Sequence, residues 1–212
     1  YISHAIYEGQ LKADVANDRQ RVMVPDNDDG SLMPPLTRLS LEAGLVFVPM
    51  AHEGNTQASE EEVEVITQLG HACLQRRFRA KDGSEQQMGW EDILFVAPYN
   101  HQVNKLQQAL GPAARVGSVD KFQGQEAPVV FFSLCTSDAT ESPRGIDFLF
   151  DIHRINVAIS RAQALAVVVG NASLLSTEVT DIAQMSQVNV LSRLDSYARP
   201  ESDLSHTSMP CL

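Results

Sequence analysis

An α/β domain with a largely parallel sheet is what this sequence predicts, and three observations carry the prediction. Short apolar segments recur at residues 44–48, 92–97, 129–132 and 164–169, each closed by Gly, Pro or polar residues. Stretches with helical spacing lie between them, so strand and helix alternate along the chain. Val129-Val-Phe-Phe132 is apolar at every position, as expected of a strand covered on both faces of a parallel sheet.

Taken in order, residues 1–12 begin within an element. Ile2 and Ile6 are one helical turn apart, and Tyr7-Glu-Gly-Gln-Leu11 reads as a helix end. Residues 13–42 are polar and carry Asp26-Asn-Asp-Asp-Gly30 and Pro34-Pro35, which predicts turns and irregular chain. Gly44-Leu-Val-Phe-Val48 is a short buried strand ended by Pro49. Ser59-Glu-Glu-Glu62 predicts a capping box, with Ser59 as N-cap, Glu62 three residues on, and acidic residues suited to the helix dipole. That helix is expected to reach about Phe78, with Val63, Ile66, Leu69 and Leu74 on its apolar face. Arg76, Arg77, Arg79 and Lys81 are then cations at its C-terminal end, a commoner arrangement than the nucleic-acid patch they could also form. His71 and Cys73 have no third ligand nearby and are read as structural.

The strand at 92–97 is ended by Pro98. A helix over 99–110 follows, with Val103, Leu106 and Leu110 on one face, and Gly111-Pro112 stops it. Tyr99 and Gln102 sit in its first turn, a place that favours phosphate or a polar ligand. Tyr99 is equally suited to closing the strand-to-helix turn as a half-buried aromatic, and His101 is expected in solvent. Asp151 is placed to cap a further helix. In it Arg154 and Arg161 are seven residues apart, hence two turns along one face and roughly 10 Å apart. Ile152, Ile155 and Ile159 form a different stripe, expected to pack on the sheet.

Arg161 suits a helix C-terminus. Arg154 lies near the N-terminal turn, against the dipole, and so requires a partner: Glu126, Asp120 or a ligand phosphate. The strand at 164–169 is ended by Gly170-Asn171. Residues 174–197 are expected to be helical through Ile182, Met185, Leu191 and Leu194, and 199–212 to be a loose tail.

The chemistry concentrates in residues 115–132, where polar groups stand between two strand-like segments. Ser118, Asp120, Gln123 and Glu126 supply hydroxyl, carboxylate and amide groups. Gly124 permits positive φ or close approach of backbone to a ligand. Such a loop is expected at a sheet end, where α/β folds bind ligands.

Composition narrows the classes. At 212 residues with 43% hydrophobic content, the chain can build a packed core without staples. Its three cysteines, Cys73, Cys135 and Cys211, show no Cys-x-x-Cys pair, which argues against a disulfide framework and a zinc site and makes a cytoplasmic setting the default. No apolar run approaches the roughly 20 residues needed to span a bilayer. The chain starts at Tyr1 and reads as a piece of something longer. A net charge of −11 is the wrong sign for a broad nucleic-acid-binding surface, so any such contact is expected to be local.

Ser118-Val-Asp-Lys-Phe-Gln-Gly-Gln-Glu126 resembles motif V of superfamily 1 helicases, in the branch typified by the nonsense-mediated-decay RNA helicase. Arg154-Ile-Asn-Val-Ala-Ile-Ser-Arg161 resembles motif VI, and Ala97-Pro-Tyr-Asn-His-Gln102 the motif IV region. The resemblance covers about residues 1–175 and implies the second RecA-like domain of such a motor; residues 176–212, outside it, read as a C-terminal helix and tail.

It further implies ATP with Mg²⁺, bound mainly by an N-terminal RecA-like domain outside this sequence, because the phosphate-loop pattern Gly-x-x-x-x-Gly-Lys followed by Ser or Thr is absent here. Carried over, Arg161 is an arginine finger, Glu126 contacts ribose or positions Arg161, and Gln123 and Arg154 sense the γ-phosphate or link the loop to the finger. Tyr99, Gln102 and Gly124 lie on the nucleotide side, whereas Ser118, Val119 and Asp120 face single-stranded DNA or RNA. Two other readings stand beside it. One is a degenerate helicase-like module that binds nucleic acid or protein without turnover. The other is a self-contained Rossmann-type enzyme, disfavoured because Gly-x-Gly-x-x-Gly and a Ser/His/Asp or metal constellation are missing.

Overall fold

The structure is a computed structural model in which residues 19–24, 41–145, 148 and 151–176 are described. In chain order these form β1 (Arg21–Met23), β2 (Gly44–Met50), α1 (Glu60–Cys73), β3 (Arg77–Arg79), β4 (Glu85–Gln87) and β5 (Ile93–Val96). Then come α2 (Asn100–Leu110), β6 (Arg115–Gly117), β7 (Ala127–Ser133), α3 (Ile152–Ser160) and β8 (Ala162–Asn171). Five strands make one sheet in the order β2-β8-β7-β5-β6, parallel at every pairing.

Strand alternation sends successive side chains to opposite faces. Val46, Val48, Ile93, Phe95, Val129, Phe131 and Val167 point to one face, where Val63, Ile66, Leu69 and Cys73 of α1 and Leu106 and Leu110 of α2 cover them. Phe47, Leu94, Val96, Val130, Phe132 and Val168 point to the other, under Ile155, Ala158 and Ile159 of α3. Both faces are dry, which explains why β5 and β7 read as unbroken apolar runs: every residue of each is buried. Phe95 and Phe131 stack with ring centroids 5.3 Å apart and planes 6° from parallel at the centre of the sheet. Each fully buried Phe, Leu or Ile side chain contributes about 1.5–3 kcal/mol.

Two expectations are corrected here. The helix that begins at Ser59 stops at Cys73, not near Phe78, and Arg77 and Arg79 of the basic run belong to a strand. Phe78 is buried while Arg77 is exposed and Arg79 half-exposed, a period of two that pairs with β1 and β4 in a small antiparallel sheet over the core. The stretch read as irregular, 13–42, contains β1, whose Val22 is fully buried opposite Phe78. The expected elements at 1–12 and beyond 176, including Ile182, Met185, Leu191 and Leu194, lie outside the described residues. No helix among the described residues is long and apolar enough to cross a membrane.

Candidate nucleotide and nucleic-acid site

The loop between β6 and β7 has to run backwards. β6 and β7 both lie parallel to β5, so the chain leaves the carboxyl end of β6 at Ser118 and must return to the amino end of β7 at Ala127. It does so along the edge of the sheet, through a short 3₁₀ turn at Asp120–Phe122. Val119 and Phe122 anchor that turn in the core beside α3. Lys121 Nζ donates to the Val116 carbonyl at 2.7 Å, and Arg115 donates to Gln125 Oε1 at 2.7 Å, so both ends of the loop are tied to the edge strand.

Gly124 adopts φ of +78°, and a Cβ built there meets nothing within 4 Å; glycine is therefore required by the backbone conformation alone. Asp120, Gln123 and Glu126 are exposed and Ser118 is half-buried, whereas the Val119 side chain is buried and leaves its backbone for contact.

The last helix ends where the loop does, at the amino end of the sheet. Asp151 caps α3 by accepting the His153 N–H at 2.9 Å and the Arg154 N–H at 3.4 Å. Arg161 follows Ser160 as the C-cap and its carbonyl accepts the Ala127 N–H at 3.0 Å, which brings Glu126 and Arg161 to adjoining strand starts. The Arg161 guanidinium folds back over its helix, with Nε donating to the Val157 carbonyl at 3.1 Å. Arg154 finds neither Glu126 nor Asp120. Its Nε lies 3.7 Å from Asp151 Oδ2, and its guanidinium carbon stands 4.3 Å from the centroid of the Phe148 ring. The cap residue itself resolves the clash with the helix dipole.

Tyr99 and Gln102 are both buried. Tyr99 is 5% exposed; its hydroxyl is 2.5 Å from Ser142 Oγ and its ring 5.3 Å from that of Phe148. Burial raises its pKa, an effect the Ser142 bond opposes. Gln102 is fully buried and its amide is engaged in the core: Oε1 accepts the Ser59 N–H at 2.9 Å, and Nε2 donates to Ser133 Oγ at 2.9 Å and to the Ser59 carbonyl at 3.2 Å. His101 is exposed, as expected.

The groups that sequence reasoning passed over lie at the opposite, carboxyl end. Ser59 Oγ accepts the Glu62 N–H at 3.1 Å as the cap predicts, but the Glu62 side chain does not return to Ser59. It is fully buried and receives three donors. Ser133 Oγ lies at 2.6 Å, the Cys135 N–H at 3.0 and 3.1 Å from its two oxygens, and His52 Nε2 at 2.9 Å. His52 Nδ1 is 2.7 Å from Ser137 Oγ. Burial, reinforced by Glu62, raises the Cys135 thiol well above its ordinary pKa. A cleft of about 640 Å³ opens beside this cluster, bordered by His52, Glu53, Ser137, Asp138, Asn171 and Ser173. The signal in the sequence was the position of Glu62, four residues before Ile66 on the apolar face of α1.

A parallel five-stranded sheet with helices on both faces, and a polar loop and a helix end meeting at its amino end, defines a RecA-like α/β domain of the helicase type. Residues 1–173 match the family described as the AAA domain, and the chain belongs to it, as a superfamily 1 helicase domain of the branch typified by the nonsense-mediated-decay RNA helicase. Among relatives, it is 33% identical over 132 residues to the RNA helicase Mov10l1 of Mus musculus, covering 59% of this chain and 11% of that protein. It is 29% identical over 187 residues to the DNA polymerase alpha-associated DNA helicase A of Saccharomyces cerevisiae, covering 82% and 26%. It is 35% identical over 94 residues to Helicase sen1 of Schizosaccharomyces pombe, covering 41% and 5%. The chain thus spans about a quarter or less of these relatives.

Proposed function

We propose that this chain is the second RecA-like domain, ending near residue 175, of an ATP-dependent helicase or translocase acting on single-stranded DNA or RNA. The observation that carries the reading is the course of residues 118–126, which link the carboxyl end of β6 to the amino end of β7, beside Arg161. One loop then joins a strand-gripping end, Ser118 to Asp120, to a nucleotide end, Gln123 to Glu126 with Arg161. Membership of the family and helicase relatives of both RNA and DNA type support it.

Exposed Gln123 and Glu126 and half-buried Arg161 fit one side of a nucleotide: a cation for phosphate, an amide and a carboxylate for ribose. They offer neither a phosphate loop nor a carboxylate pair for Mg²⁺, so most of the ATP and its metal belong to an N-terminal RecA-like domain that closes against this end of the sheet. In that closed state Arg161 leaves the Val157 carbonyl and meets the γ-phosphate, stabilising charge in the transition state. Glu126 fixes its approach, and Arg154, held by Asp151 and Phe148, supports the helix that carries it.

The test is strand-stimulated ATP hydrolysis by the full-length protein, wild type against Arg161→Ala. Arginine fingers are worth roughly 10³ to 10⁵ in rate, so turnover is expected to fall at least about a hundredfold with ATP binding retained. An unchanged rate would transfer the domain to the binding-module reading, in which Arg161 only closes its own helix.

A further inference from the structure

Phe148 gathers two cations. The guanidinium carbons of Arg144 and Arg154 each stand 4.3 Å from the centroid of its ring, so the two charges lie within twice that distance of each other. Contact with the aromatic ring favours each guanidinium, whereas the approach of two like charges opposes the arrangement. Arg154 Nε has Asp151 Oδ2 at 3.7 Å. Arg144 is exposed and, among the described residues, makes no hydrogen bond or ion pair.

The pair stands toward the carboxyl end of the sheet, beside the strand-gripping end of the loop. Tyr99, just past the end of β5, has its ring 5.3 Å from that of Phe148. Ser118 stands just past the end of the neighbouring β6, and the two strands are held together as far as the bond from the Ala97 N–H to the Gly117 carbonyl, at 3.2 Å. Val119 and Ile155, which follow Ser118 and Arg154, lie in one apolar layer on the same face of the sheet. Arg154 is two turns of α3 away from Arg161, and so is removed from the amino end, where the nucleotide groups meet.

A chain of net charge −11 repels a polyphosphate strand unless cations are concentrated where the strand passes. Ser118, Val119 and Asp120 include none. The cations closest to them in sequence are engaged with their own chain. Lys121 Nζ donates to the Val116 carbonyl at 2.7 Å, and Arg115 donates to the Glu91 carbonyl at 2.6 Å and to Gln125 Oε1 at 2.7 Å. Arg144 and Arg154 have donors to spare, because contact with a ring face consumes none of the five N–H groups of a guanidinium.

We propose that Arg144 and Arg154, held together on Phe148, bind backbone phosphates of the single strand as it passes Ser118. This rests on the motor reading above. Guanidinium forks take phosphate oxygens in pairs and read no base, so uridylate and thymidylate strands bind alike. Because Arg154 and Arg161 share α3, strand and nucleotide then act on one helix.

The test is binding of labelled oligouridylate and oligothymidylate to the full-length protein over a range of salt concentrations, with the KM of ATP measured alongside. Each phosphate neutralised on a single strand contributes about 0.7 to the steepness of log affinity against log salt. Arg144→Gln and Arg154→Gln are each expected to lower that steepness by about 0.7 and to weaken binding roughly three- to tenfold, with the KM of ATP unchanged. Arg144→Lys keeps the wild-type steepness, and so does Arg77→Gln, which removes an equal charge from exposed β3. A variant that merely folds less well loses binding-competent protein and leaves the steepness where it was.

Wild-type steepness in Arg144→Gln or Arg154→Gln, an equal drop in Arg77→Gln, or a raised KM of ATP in place of weaker strand binding overturns the proposal and leaves the motor reading standing. A wild type that binds neither oligonucleotide overturns that reading and this proposal with it.

Discussion

The carbonyl of Arg161 accepts the backbone N–H of Ala127 at 3.0 Å, and with that bond the end of α3 is fastened to the first residue of β7. Glu126 is one residue away from it. The groups assigned to the nucleotide therefore do not hang from independent loops. They sit at the starts of the paired strands β7 and β8, at the register Ala127 to Ala162. A rigid element holds a functional group to a tolerance that a free loop does not, which makes local substitutions here readable.

Glu62→Ala is expected to destabilise the domain by about 3–5 kcal/mol, as when one partner of a buried polar pair is removed. Three buried donors, from Ser133, Cys135 and His52, would lose their acceptor. Glu64→Ala, on the exposed side of the same helix, should stay within about 0.5 kcal/mol. Urea unfolding of the two variants measures the contrast; equal effects would show that the carboxylate is not the hub of the carboxyl end.

Gly170→Ala tests packing where β8 passes under the loop after β7. A Cβ there would lie 2.5 Å from Leu134 Cδ1 and 3.0 Å from Leu134 Cβ and Cγ. Leu134 is fully buried. Overpacking of this kind costs typically about 1–3 kcal/mol, which the shift of the unfolding midpoint would report.

Gly124→Ala tests backbone alone. Nothing stands within 4 Å of the added Cβ, but φ of +78° is unfavourable for an L side chain. A loss of about 1 kcal/mol is expected, and less for Gly124→Asn, since asparagine tolerates this region. If Gly124→Ala leaves stability unchanged while weakening ATP-dependent turnover, close approach of a ligand, not conformation, requires the glycine.

Cys73 is fully buried, and burial pushes its thiol from 9.0 up to about 12. The folded state thus keeps its proton where the unfolded chain has lost it, so this stabilisation is present below pH 9.0 and is lost as pH rises toward about 12. Stability is expected to fall across that window, and Cys73→Ala should flatten the fall. For the same reason Cys73 and Cys135 should resist iodoacetamide near neutral pH in the folded protein and react in urea.

Much of the fold was legible because local rules and tertiary outcome agree. Strands buried on both faces leave no alternation, and β5 and β7 betrayed themselves by uninterrupted apolar runs. Ser59, Asp151 and Gly111 announced helix ends because capping is a matter of adjacent residues. The stretch after α1 failed for a matching reason. Arg77-Phe-Arg79 continues a helical pattern in charge, while its strand identity depends on β1, more than fifty residues earlier in the chain. No local window contains that partner.

The candidate site divides in the same way. Sequence by itself determined the apolar strands, the caps, the glycine at Gly124 and the motif residues from Ser118 to Glu126 and Arg154 to Arg161, because each is set by its neighbours in the chain. Only the tertiary structure decided that Gln102 is spent in the core, that Arg154 turns to Asp151 and Phe148, and that Glu62 gathers His52, Ser133 and Cys135 from three segments. Hydrogen bonds reach about 3 Å and ignore separation along the chain. A buried carboxylate must collect its donors from wherever the fold brings them.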